Sequence, residues 1–160
     1  APNIRNHPDE FRSFIEYVLN MLALGQSLRE AIAVLEIASV AGLSDARYIA
    51  HLGGMHFLNG DFAKSEKIFS EAERRELPQT ALWSVVFHAM DFESGQPLTL
   101  VGKVIVRKPS YSLIEAEGYP VFYCHSSKQK GLALRVGMRV SFSVGFNPRG
   151  ANALEPRELP

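Results

Sequence analysis

The spacing of apolar residues divides the chain into a helical first half and a strand-rich second half. Up to about residue 90, apolar side chains recur every three or four residues, which is the spacing of an amphipathic helix. Gly25 and Gly60 are typical helix stop signals, and Ser27 followed by Glu30 is a capping box that begins the second helix. The pattern predicts five helices, at about residues 8–24, 28–42, 45–58, 61–75 and 81–90.

After Asp91 apolar residues alternate with polar ones, as they do in a half-buried strand. This alternation predicts five strands, at about residues 98–107, 110–116, 120–125, 139–146 and 151–154. Five short strands in so small a segment fit a closed antiparallel barrel of the OB type. We therefore predict an α+β protein of two domains, with helical hairpins at residues 1–93 and a five-stranded β-barrel at residues 98–160.

Two neighbouring strands of the predicted barrel carry the best candidates for a binding surface. Tyr111 and Leu113 share one face of the second strand, and Tyr123 and His125 share one face of the third. If those faces adjoin in the open, they form a platform on which unpaired bases stack. Ordinary packing inside the barrel is the alternative for the two tyrosines. We favour stacking, because alternation gives the inward positions to other side chains. Those inward side chains are Ile114, Phe122 and Cys124.

The two halves of the chain differ in charge, although the whole is neutral. Residues 1–97 carry 13 acidic and 8 basic side chains, whereas residues 98–160 carry 4 acidic and 9 basic ones. Such asymmetry indicates that the basic half meets a polyanion, with mutual attraction between the halves as the alternative. The candidate phosphate contacts are Lys103, Arg107, Lys108, Lys128, Lys130, Arg135 and Arg149. Among them, Lys108, Lys128 and Lys130 flank the platform strands and are preferred.

The helices repeat at an interval of 34 residues, as between Leu35 and Phe69, which is the period of tetratricopeptide repeats. Residues 46–78 resemble such a repeat. The matching positions are Leu52, Gly53, Gly60, Asp61, Phe62, Phe69, Ala72 and Pro78. Residues 12–43 resemble a more degenerate copy, and the helix after Thr80 resembles the opening of a third.

This resemblance covers about residues 12–90 and implies that the inner face of the first helices contacts a partner peptide. The matching positions are Arg47, Ala50, Gly54 and Phe57. Packing of this face against the next helix or the barrel is the alternative. We favour packing, because barely two repeats leave little groove. We also expect the helix around Trp83 to dock the two halves together.

The second half resembles a cold-shock domain over about residues 100–155. The matching motifs are Gly102-Lys103-Val104, Ser110-Tyr111-Ser112-Leu113-Ile114, Tyr123-Cys124-His125, Gly137 with Val140 and Phe142, and Arg149-Gly150-Ala151. The resemblance implies binding of single-stranded nucleic acid on the platform strands. With the basic residues, it gives as candidate contacts Lys108, Tyr111, Leu113, Tyr123, His125, Lys128, Lys130 and Arg149.

The chain also departs from the cold-shock pattern in ways that predict weaker binding. Bacterial members carry a base-stacking tryptophan in the first strand, and no aromatic residue lies between Gly102 and Ser110 here. Leu113 replaces the second phenylalanine of the next strand. Because each stacked base contributes about 1–3 kcal/mol, we expect weak or cooperative binding.

No part of the sequence has the pattern of a catalytic or metal centre. His51 and His56 are five residues apart, which is not the i, i+4 spacing of a metal pair on a helix. Cys124 and His125 are adjacent on a predicted strand and therefore point to opposite faces. We expect no enzymatic activity, no metal and no cofactor.

The composition favours a cytoplasmic, reducing location. Cys124 is the only cysteine, so the chain forms no internal disulfide. No stretch reads as a membrane span or as the apolar core of a signal peptide. We therefore expect a protein without a membrane partner.

Three functional hypotheses follow from the sequence. The first is an adaptor whose barrel binds single-stranded RNA or DNA, with RNA preferred, and whose helices contact a protein. The second is a protein-protein interaction module with a degenerate barrel. The third is an ancillary part of a larger nuclease, helicase or ATPase, because the chain lacks a starting methionine.

Overall fold

The computed structural model describes residues 11–37, 45–74 and 77–160. In that part of the chain the helices are α1 (Phe11–Ala23), α2 (Leu28–Glu36), α3 (Ala46–Leu58), α4 (Phe62–Arg74) and α5 (Gln79–Trp83). The predicted helical residues 8–10, 38–42 and 75 lie outside the described residues. None of the described helices is long and apolar enough to cross a membrane.

Local signals in the sequence begin and end these helices. The Ser27 hydroxyl accepts the Glu30 N–H, and the Glu30 carboxylate accepts the Ser27 N–H, both at 3.2 Å, so the predicted capping box is confirmed. The Asp45 carboxylate accepts the N–H groups of Arg47 and Tyr48 at the start of α3. Gly60 follows α3 with a φ of +82°, a conformation that glycine adopts without strain.

Helices α3 and α4 form a tight hairpin because a glycine lies at their contact. A Cβ atom added to Gly53 would lie 2.5 Å from the Phe69 ring, so a larger residue would force the helices apart. The Ser65 hydroxyl donates a 2.8 Å hydrogen bond to the Gly53 carbonyl oxygen at the same contact. The close approach therefore depends on small residues, as in stacked helical repeats.

The predicted fifth helix is wrong beyond Trp83, where α5 ends. The chain continues as the short strands β1 (Phe87–His88) and β2 (Met90–Asp91). The Val86 N–H donates to the Phe146 carbonyl oxygen, and Phe87 pairs with Phe146 in the ladder and is buried. Hydrogen bonds and burial at an open strand edge outweigh the helical pattern of this segment.

The remaining strands are β3 (Gln96–Pro97), β4 (Thr99–Arg107), β5 (Tyr111–Glu115), β6 (Phe122–His125), β7 (Arg139–Asn147) and β8 (Gly150–Glu158). Five of them form a closed barrel in the order β7, β4, β5, β6 and β8, with β8 pairing back onto β7. Strand β1 extends the sheet beside β7, and β2 pairs with β3 as a separate hairpin. This architecture is compatible with an OB-like barrel.

The expectation of a wholly antiparallel barrel is wrong, because the barrel is mixed. Strand β6 runs parallel to β8, and Tyr123 pairs with Asn152 in that contact. Directions alternate between antiparallel neighbours, so a closed ring with an odd number of strands must contain at least one parallel pair.

The helices pack on the barrel through one face of α3. A Cβ atom added to Gly54 would lie 2.7 Å from the rings of both Phe87 and Phe146. Phe57, one turn further on, makes ring contacts with Phe146 at 5.4 Å and with Phe122 at 5.6 Å. Buried side chains therefore form one continuous core from the helices into the barrel.

The buried His51 on α3 makes stability dependent on pH. Its Nδ1 lies 2.7 Å from the Arg47 carbonyl oxygen, and its ring stacks on Phe87 at 4.8 Å. Burial lowers the pKa of His51 from its usual 6.5. Below pH 6.5 His51 is therefore protonated more fully in the unfolded chain than in the folded chain. The free energy of unfolding consequently falls as pH drops below that value.

We expect His51→Gln to reduce this loss of stability between pH 7.5 and pH 5, because glutamine keeps a donor and does not titrate. Urea unfolding of wild type and variant at both pH values measures the effect. An equal loss in both proteins would show that another group is responsible.

Candidate nucleic-acid interface

Strands β5 and β6 present their polar and aromatic faces to the outside of the barrel. Tyr111 pairs with His125 and Leu113 with Tyr123 in an antiparallel ladder. His125 is exposed, and the other three are half-buried. The intervening side chains fill the barrel interior, as alternation predicts, and are Ser112, Ile114, Phe122 and Cys124.

The two tyrosine rings lie against each other on this outer face. Their centroids are 5.0 Å apart and their planes differ by 23°, which is a stacked arrangement. The His125 ring lies 6.5 Å from Tyr123, and His125 is the ladder partner of Tyr111. Burial, and next the neighbouring Tyr111, raise the pKa of Tyr123, so its ring carries no charge at neutral pH.

Trp83 adds a fourth ring, which the sequence pattern did not assign to this surface. It is the last residue of α5, and its ring centroid lies 5.9 Å from that of Tyr123. The side chain contacts the barrel, as a docking residue should, yet it remains 43% exposed. Because the contact joins residues far apart in the chain, no local motif signals it.

Arg149 lies over the Trp83 ring, at the end of the series Tyr111, Tyr123 and Trp83. Its guanidinium carbon is 4.2 Å from the centroid of the Trp83 ring, which is a cation–π geometry. The Arg149 and Gly150 N–H groups both donate to the Asn147 side-chain oxygen, which holds the β7–β8 turn in place. The turn therefore positions a cation at the end of the aromatic series.

These groups line a single open cleft with a volume of about 730 Å³. Its lining residues are Trp83, Ser84, Val85, Ser110, Tyr111, Tyr123, His125, Ser127, Lys128, Asn147, Arg149 and Asn152. The set contains two cations and, among the residues that the structure describes, no carboxylate. We call this site the aromatic cleft.

Five of the eight candidate contacts line the aromatic cleft. They are Tyr111, Tyr123, His125, Lys128 and Arg149. The other three lie outside it: Leu113 is half-buried opposite Tyr123, Lys108 is exposed at the β4–β5 turn, and Lys130 pairs with Glu155. The sequence analysis did not assign Trp83, Asn147 or Asn152 to this site, although all three line it.

The four residues assigned to peptide binding lie on α3, and two of them, Gly54 and Phe57, lie against barrel side chains. Ala50, Gly54 and Phe57 are buried, whereas Arg47 is exposed. Phe57 contacts barrel rings, and Gly54 lies against Phe87 and Phe146. A peptide that bound this face would have to displace the barrel.

Cys124 and His125 lie on opposite sides of the barrel wall. Burial raises the pKa of the Cys124 thiol to about 11, and its side chain points into the interior. The exposed His125 accepts the Ser127 N–H on Nδ1 at 3.1 Å, so the neutral ring carries its proton on Nε2. The two side chains are thus separated, and His125 offers a donor at the edge of the aromatic cleft.

Comparison with known proteins does not place the chain in a family. No protein-family model matches the sequence, and no curated protein matches it significantly. A function is therefore inferred from the geometry of the aromatic cleft.

Proposed function

We propose that the protein binds single-stranded nucleic acid, with RNA as the first candidate, in the aromatic cleft. In this proposal the barrel is a cold-shock-like OB domain, and the tetratricopeptide-like helices contact a protein through surface that the barrel leaves uncovered. The observation that carries it is the stacked pair of Tyr111 and Tyr123, extended by the Trp83 ring at the mouth of the same cleft.

Stacking explains why the ligand would be single-stranded. A ring outside the barrel can stack only on a base face that is not covered by neighbouring base pairs. Each such contact contributes about 1–3 kcal/mol to binding, whichever base is stacked. Trp83 therefore supplies, from the helical segment, a stacking group that the first barrel strand lacks.

The charges of the aromatic cleft favour a polyanion. Lys128 and Arg149 line it, and no carboxylate among the described residues does so. Elsewhere on the barrel, the cations of Lys130 and Arg135 lie within ion-pair distance of Glu155 and Glu158. Cations that already have an acidic neighbour contribute less to phosphate binding, so Lys130 and Arg135 are weaker candidates for phosphate contacts.

A titration with labelled oligonucleotides tests this proposal. We expect the fluorescence anisotropy of a single strand of about 16 nucleotides to rise on binding, and a duplex of the same length to bind far more weakly. If Lys128 and Arg149 each contact one phosphate, affinity should fall about sevenfold between about 50 and 200 mM salt.

Two results would contradict the proposal. One is equal binding of single strand and duplex, because duplex bases cannot stack in the cleft. The other is the absence of any binding at low salt, which would instead favour the protein-interaction hypothesis.

A further inference from the structure

We propose that Asn147 and Asn152 read the edge of the base that stacks in the aromatic cleft, so that binding is selective for one base. This inference rests on the proposed function. Stacking by itself tolerates every base, since each base has a π face. Selectivity requires polar groups that are fixed in place and directed at the base edge.

Asn147 provides a donor whose orientation is fixed. The residue is 2% exposed, and its side-chain oxygen accepts the N–H groups of Arg149 at 2.9 Å and Gly150 at 3.1 Å. These two bonds identify the oxygen, so Nδ2 must be the other end of the amide. Within the part of the chain that the structure describes, Nδ2 has no hydrogen-bond partner, although Asn147 lines the cleft.

Asn152 provides the complementary acceptor. It is 6% exposed and lies opposite Tyr123 in the parallel β6–β8 pair. Its Nδ2 donates a 3.0 Å hydrogen bond to the Gly150 carbonyl oxygen, which fixes the amide and leaves Oδ1 as the available acceptor. No described residue donates to that oxygen.

A donor and an acceptor held beside a stacking ring match the edge of a nucleobase. Every base presents donors and acceptors there, but their order and spacing differ from base to base. A base that satisfies both amides gains two hydrogen bonds, whereas a mismatched base leaves a nearly buried polar group without a partner. The alternative is that the amides only stabilise the β7–β8 turn, in which case they would not affect base preference.

Titration with single-stranded homo-oligonucleotides of A, C and U distinguishes these cases. We expect wild-type affinities for the strongest and weakest of the three to differ by about tenfold or more. In Asn147→Asp a carboxylate oxygen can still accept the Arg149 and Gly150 N–H groups, so the turn is kept while the donor is lost. We expect the preferred base to change, or the ratio of the strongest to the weakest affinity to fall to within about threefold.

Lys128→Ala is the matched control, because it also lowers the charge of the cleft by one unit. We expect it to weaken binding of all three oligonucleotides alike and to keep their ratio. Asn152→Ser removes the acceptor without adding charge and should also reduce the ratio. Thermal melting of each variant checks that it is folded.

The outcomes separate this inference from the function on which it rests. Binding whose affinity ratios among the three oligonucleotides are within about threefold in wild type, or are unchanged in both asparagine variants, would overturn base reading alone. Failure of all three oligonucleotides to bind wild type would overturn both.

Discussion

Replacing Tyr111 and Tyr123 together with alanine is expected to weaken single-strand binding by at least about fivefold, since the stacked pair and at least one base contact of about 1–3 kcal/mol are lost. Both rings lie outside the barrel and are only half-buried, so their removal should leave the fold intact. Anisotropy titration of the same labelled strand, at low salt, measures the loss.

Two further variants make this result specific to stacking. Tyr111→Phe combined with Tyr123→Phe keeps both π faces and should bind within about threefold of wild type. Tyr17→Ala removes an exposed ring from α1, on the helical part of the chain, and should not change affinity. The stacking role would be wrong if the double alanine variant melted like wild type and still bound like it.

Phe57→Ala is expected to lower the free energy of unfolding by about 3–5 kcal/mol, a large part of the 5–15 kcal/mol of a typical domain. Phe57 is buried, and its ring contacts those of Phe62, Tyr119, Phe122 and Phe146. It therefore fills space between the helices and the barrel, and truncation leaves a cavity that both must border.

Urea unfolding followed by two signals measures this effect. Far-UV circular dichroism reports mainly on the helices, and the emission of Trp83, the only tryptophan, reports on the aromatic cleft. Because the core is continuous, both transitions should move together to lower urea in Phe57→Ala. A shift in the helical signal alone would show that the helices and barrel unfold separately.

Local signals explain why most elements were predictable from the sequence. The Ser27–Glu30 capping box depends on residues three apart, and its hydrogen bonds form within one turn. Likewise, the faces of β5 and β6 follow from alternation, which places Tyr111 and Tyr123 outside and Ile114 inside.

What the sequence did not predict depends on contacts between distant segments. Residues 84–90 continue a helical pattern, and only the open edge of β7 near Phe146 makes them extended. The parallel β6–β8 pair arises from closure of the ring and brings Asn152 beside Tyr123. Trp83 likewise reaches the aromatic cleft through a contact between distant segments, because α5 ends next to Tyr123 of the barrel.

The emission of Trp83 during titration with an unlabelled single strand tests the central claim most directly. The ring is 43% exposed at the mouth of the aromatic cleft and is the only tryptophan in the chain, so its signal has one source. A base that stacks in the cleft should quench this emission, with the same midpoint as the anisotropy of the labelled strand. A strand that bound with full anisotropy change and left the emission of Trp83 unaltered would occupy another surface, and would contradict the account.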